Sequence, residues 1–131
     1  MIAIDTNVLV RLFINDDAEQ AQKAQSLFDD HADEDESLWI ADIVLIELVW
    51  ALDRSYGRSR EEICNALRAL TGNATVCVES PESIGPAIAL YAKGPAGFAD
   101  CLLAIKARQA GCDALRSFDR KMRGLPGVKL L

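Results

Sequence analysis

The chain has 131 residues, half of them hydrophobic, with 20 acids against 14 bases and a net charge of −6. That length suits one globular domain, residues 1–131, with a substantial core, and no apolar run approaches a membrane span. The acidic balance argues against a simple basic nucleic-acid binder.

The charge is unevenly spread, with thirteen acids and two bases in residues 1 to 53 and seven acids and twelve bases in residues 54 to 131. The second part can therefore still meet phosphate. The first residues lack the basic flank and cleavage pattern of a signal peptide, so a cytoplasmic location is expected. Cys64, Cys77, Cys101 and Cys112 stand far apart with no C-x-x-C, which favours reduced, mostly buried thiols.

In chain order, the apolar and β-branched runs IAI (2–4), LWI (38–40), TVCV (75–78), ALRSF (114–118) and VKLL (128–131) alternate with helical patterns. This alternation predicts α/β architecture with a parallel sheet. NVLVRLFI and DAEQAQKAQSLF read as the first two helices, and the acidic block DDHADEDE (29–36) as a solvated loop. DIVLIELVWALDRSYG reads as a helix with Asp42 as N-cap and Gly57 beyond its end. SREEICNALRALTG has a capping box in Ser59 and Glu62 and a stop in Gly72. Ser80 and Pro81 open the next helix, yet Gly85 and Pro86 fall in its interior, predicting a kink or a later start. After GPAG (94–97), a last helix is expected from about Phe98 to Ala110.

Four acids in this layout lack an obvious partner. Asp5 interrupts the opening run MIAIDTNVLV, where a lone turn former or helix cap is the ordinary explanation. Glu47 lies in IVLIELVW, whose neighbours one turn away are Ile43, Val44, Trp50 and Ala51. A helix so apolar all round is expected to be buried, and an unpaired buried carboxylate needs a proton or a cation. Asp100 has Ala96, Gly97, Leu103 and Ala104 at the same spacings, although an acid in a first turn is also favoured by the helix dipole. Asp119 follows a strand and can equally cap the turn RKMR.

Strand carboxyl ends and the helices after them share one edge of a parallel sheet, the edge where ligands bind. Two carboxylates ~4 Å apart repel by about 4 kcal/mol at an effective dielectric near 20, so a cluster of four calls for a cation. Oxygen donors favour Mg²⁺ or Mn²⁺, and one or two such ions held by carboxylates are a common means of phosphodiester hydrolysis. His31 is the only histidine, which removes a two-histidine ribonuclease mechanism and the usual base of serine or cysteine nucleophiles.

The stretches IDTNVLVRLF, DIVLIELVWAL, GFADCLLAIKARQAGC and SFDRKMRGLPGVKLL, which span nearly the whole chain, resemble the PIN-domain nucleases and among them the VapC-like toxins of toxin–antitoxin pairs. The resemblance implies a three-layer α/β/α domain with a central, mainly parallel sheet of about five strands. It also implies a homodimer that cleaves RNA with Mg²⁺ or Mn²⁺, leaves a 5′-phosphate and a 3′-hydroxyl, and is silenced by a cognate antitoxin. Asp5, Glu47, Asp100 and Asp119 match the family's acidic quartet, with Asp5, Asp100 and Asp119 as metal ligands and Asp119 the least uniform of the four. Thr6 and Asn7 match the residues that support the first acid, and Ser117 stands where the family often has Thr.

Arg120, Lys121 and Arg123 are candidate RNA-backbone contacts, with Arg54, Arg58 and Arg60 as a second cluster. Trp39 and Trp50 read as core or dimer-interface residues. Two alternatives remain at this level. A phospho-receiver-like signalling domain needs paired acids after the first strand and an Asp after the third, which D-T-N and TVCVESP lack. A catalytically silent PIN-type RNA-binding module has no need of four acids.

Overall fold

The computed structural model describes all residues from Met1 to Leu131, and they form two compact units, Met1–Ser80 and Pro81–Leu131. The first unit runs β1 (Ile2–Ala3), α1 (Thr6–Phe13), α2 (Ala18–Asp30), β2 (Leu38–Ile40), α3 (Asp42–Trp50), α4 (Arg60–Thr71) and β3 (Val76–Val78). Its three strands pair in parallel in the order β1-β2-β3, with Ile2 opposite Leu38 and Leu38 opposite Val76. Crossover helices make parallel pairing possible. Leu9, Leu38, Ile40, Leu48, Ile63 and Leu67 are all but sealed from solvent and form the core of this unit.

Helix α4 starts and stops as its sequence dictates. Ser59 Oγ accepts the Glu62 N–H at 3.1 Å, Glu62 Oε1 accepts the Ser59 N–H at 3.1 Å, and Gly72 closes the end. Helix α3 departs from expectation at its start, because Asp42 is its first helical residue and Ala41 its N-cap. Alanine offers no capping oxygen, and Glu79, just after β3, supplies one: its Oε1 accepts the Asp42 N–H at 2.9 Å. Ser80 Oγ in turn donates to Asp42 Oδ2 at 2.8 Å. Past Trp50 the helix widens into a π turn, Ala51–Ser55, and ends before Gly57, whose φ of +60° a side chain would resist.

The second unit runs α5 (Pro81–Lys93), α6 (Phe98–Gln109), β4 (Leu115–Ser117) and β5 (Val128–Leu130), with a 3-10 turn at Arg120–Met122. Strands β4 and β5 pair in parallel, Leu115 opposite Val128 and Ser117 opposite Leu130. Tyr91 and Phe98 meet edge to face, their ring centres 6.0 Å apart, where α5 packs on α6.

All five expected strands are present, but they form sheets of three and two rather than one sheet of about five. The strands are two or three residues long, so each offers few ladder groups, and backbone pairing closes within each set. The α/β class stands as expected.

Helix α5 starts at Pro81, so the later start that Gly85 and Pro86 suggested does not occur, and it continues through Pro86. Proline removes the N–H that would bond the carbonyl four residues back, here that of Glu82. Gln109, at the end of α6, replaces it: its Nε2 donates to the Glu82 carbonyl at 3.3 Å, while its Oε1 accepts from the fully buried Ser83 hydroxyl at 2.6 Å. Gln109→Leu is expected to destabilise the protein by about 1–2 kcal/mol, because it strands a buried hydroxyl. A urea titration of wild type and variant measures this directly.

Candidate active site

In the first unit, β1 delivers Asp5 to the N-cap of α1. Its backbone carbonyl accepts from the Val8 N–H at 3.2 Å, but its side chain makes no capping hydrogen bond. The carboxylate is exposed and makes no hydrogen bond to the helix it precedes.

Thr6, at the first position of α1 and 9% exposed, turns its hydroxyl to α3 and donates to Glu47 Oε2 at 2.6 Å. The hydroxyl next to the first acid thus holds the second. Asn7 lines a groove of about 360 Å³ between α1 and α2, together with Arg11, Lys23 and Leu27.

Glu47 was expected to be buried and is exposed. The face of α3 that presents it also leaves Ile43 63% and Trp50 54% open, so an apolar helix is not wrapped on every side. Trp50 is therefore not a core residue, and the Arg54 guanidinium lies 5.6 Å from its ring centre. Trp39, in β2, is half-buried.

In the second unit, Gly97 caps α6 and Asp100 is the third residue of that helix. A Cβ built on Gly97 lies 3.7 Å from Asp100 Oδ2, so the carboxylate folds back over the helix start. The helix dipole there favours the ionised form. Even so, the carboxyl is held above the ordinary aspartate range, first by burial and then by the negative charge of Asp119.

Asp119 stands after β4. Its Oδ1 caps the 3-10 turn by accepting the Lys121 N–H at 2.9 Å, and its own N–H donates to Ser117 Oγ at 2.9 Å. Ser117 Oγ donates onward to Met122 Sδ at 3.4 Å. Arg120, Lys121 and Arg123 are exposed around this turn. Of the second basic cluster, Arg58 pairs with Glu62 at 3.7 Å.

Asp5 and Glu47 belong to the first unit and Asp100 and Asp119 to the second, and all four are oxygen donors. His31 is engaged elsewhere, its Nδ1 2.9 Å from the Leu27 carbonyl. The four cysteines are free, and of these Cys112 is exposed. No three His, Cys, Asp or Glu side chains are gathered into a cage. Carboxylate oxygens in ones and twos suit a small hard cation that retains much of its water; they do not suit a closed structural zinc site.

Sequence reasoning singled out all four acids but not the Thr6–Glu47 bond or the cap from Glu79. Those contacts join residues 41 and 37 positions apart, and no local pattern marks them.

A family model for the PIN domain matches residues 2–128. The chain belongs to the PIN-domain family. This PIN domain is 31% identical over 125 residues to the VapC ribonuclease of Aquifex aeolicus (strain VF5), covering 95% of this chain and 92% of that protein. Among solved structures, a toxin–antitoxin complex from Klebsiella pneumoniae aligns with 98% of this PIN domain and 96% of its own chain. Its identity is 17% and the TM-score 0.35, too slight a likeness to bear on the fold. No helix is long and apolar enough to cross a membrane.

Proposed function

We propose that this PIN domain is a metal-dependent endoribonuclease, the toxin of a toxin–antitoxin pair, acting as a cytoplasmic homodimer and held inactive by a cognate antitoxin. The observation that carries the reading is Asp100, an acid kept partly buried beside a second acid, Asp119. The likeness to a VapC ribonuclease over 95% of the chain supports RNA as the substrate.

In this reading Asp5, Asp100 and Asp119 would hold Mg²⁺ or Mn²⁺, one or two ions. The ion supplies charge neutralisation at the phosphate and a lower pKa for water. Glu47, fixed by the Thr6 hydroxyl, orients the attacking water and accepts its proton. Arg120, Lys121 and Arg123 hold the flanking phosphates. With no histidine available for transfer through the 2′-hydroxyl, attack by water leaves a 5′-phosphate and a 3′-hydroxyl.

The test is cleavage of RNA by the purified protein with Mg²⁺, with Mn²⁺ and with EDTA. Full activity in EDTA defeats the proposal. A short neighbouring reading frame with a DNA-binding N-terminus would support the toxin role.

Thr6 is a positioning residue in this scheme. Thr6→Val keeps its shape and removes the donor to Glu47, so kcat is expected to fall about tenfold at nearly constant KM, by analogy with the loss of an outer-shell partner. Thr6→Ser should restore the rate. Steady-state kinetics on one RNA oligonucleotide measures all three proteins.

A further inference from the structure

Phe118 is 80% exposed, more than any other aromatic side chain of the protein. It precedes Asp119, so the two Cα atoms are about 3.8 Å apart. The backbone on either side is pinned, because Ser117 Oγ accepts the Asp119 N–H and Asp119 Oδ1 accepts the Lys121 N–H. The ring is thus held out in solvent by a fixed turn.

Around it stand Arg120, Lys121 and Arg123, exposed cations that form no salt bridge. Arg116 is committed differently, donating to the Lys129 carbonyl at 3.1 Å. A protein surface docked here would have to desolvate three unpaired cations. A phosphate strand neutralises them, and its bases offer flat apolar faces to the ring.

We propose that Phe118 is a specificity-determining residue that stacks on an unpaired base of the RNA, in the nucleotide next to the scissile phosphate at Asp119. The proposal rests on the ribonuclease reading above. A base held in a duplex cannot leave its stack without cost, so the preferred substrate is single-stranded near the cut, and stacking itself tolerates any base.

The test uses the full chain in EDTA with a single-stranded RNA oligonucleotide, the same strand in a duplex, and a strand carrying one abasic position. Phe118→Ala and Phe118→Leu are expected to bind the single strand about tenfold more weakly. Phe118→Trp should keep wild-type affinity and add fluorescence quenching, beyond that of Trp39 and Trp50, that the abasic strand diminishes. With Mg²⁺ restored, Phe118→Ala should raise KM more than it lowers kcat.

Wild-type binding by Phe118→Leu overturns stacking, as does equal quenching by the abasic strand. Unchanged RNA affinity in Phe118→Ala, with lost self-association or lost antitoxin binding, overturns it in favour of a protein contact. If the wild type cleaves RNA and Phe118→Ala does so equally, only this inference fails; if the wild type neither binds nor cleaves RNA, the ribonuclease reading fails with it.

Discussion

Asp100→Asn should cleave RNA at least about a hundredfold more slowly than wild type and yet unfold at a higher temperature when no divalent ion is present. In the proposed mechanism the loss of activity follows from losing a charged ligand, a few kcal/mol of transition-state stabilisation. Gain of stability follows from the site itself. Burial and the neighbouring Asp119 hold the Asp100 carboxyl above its ordinary value, so folding disfavours the ionised form. An uncharged amide of the same shape removes that cost, by less than about 1 kcal/mol once solvent screening is discounted. Scanning calorimetry in EDTA reads the stability, and a cleavage assay with Mg²⁺ reads the activity. A variant that is both inactive and less stable would mean that Asp100 serves the fold rather than a cation.

Removing the divalent ion should abolish cleavage, and its effect on stability should depend on pH with a defined sign. A carboxyl whose folded pKa is raised holds its proton more tightly in the folded chain than in the unfolded one. Its contribution to stability is therefore greatest below the unfolded value and is lost as pH rises through the raised folded value. In EDTA, this group makes the protein less stable from weakly acidic pH upward. With Mg²⁺ in excess, the same deprotonation creates a ligand, so ion-dependent stabilisation grows over that window. The two slopes are opposed, and Asp100→Asn should flatten both. Melting temperatures measured across mildly acidic pH with EDTA and with Mg²⁺ provide the check; parallel curves would exclude Asp100 from ion binding.

How legible this site was in the sequence depended on the range of the contact. Helix α4 was fully readable because its capping box and terminal Gly72 act within a few residues. The four acids stood out for a related reason, since each lacked a base one helical turn away. The long-range contacts that hold their side chains were not readable. Thr6 stands next to Asp5, which suggests support for that acid, but its hydroxyl reaches across to Glu47. The burial expected for Glu47 failed because periodicity reports how apolar a helix is, not which neighbours cover it, and the face with Ile43 and Trp50 remains open. The separation of β4 and β5 from β1, β2 and β3 is likewise set by backbone pairing that no single run encodes.

Helix α5 has a proline that its continuity tolerates because a side chain from α6 reaches the carbonyl the proline abandons. That relation couples two distant positions in energy. Where a homologue replaces Pro86 by a residue with an N–H, the Glu82 carbonyl regains its own partner and half the selective reason for an amide at 109 disappears. Positions 86 and 109 should therefore drift together across the family, proline with glutamine and non-proline with a wider range of residues.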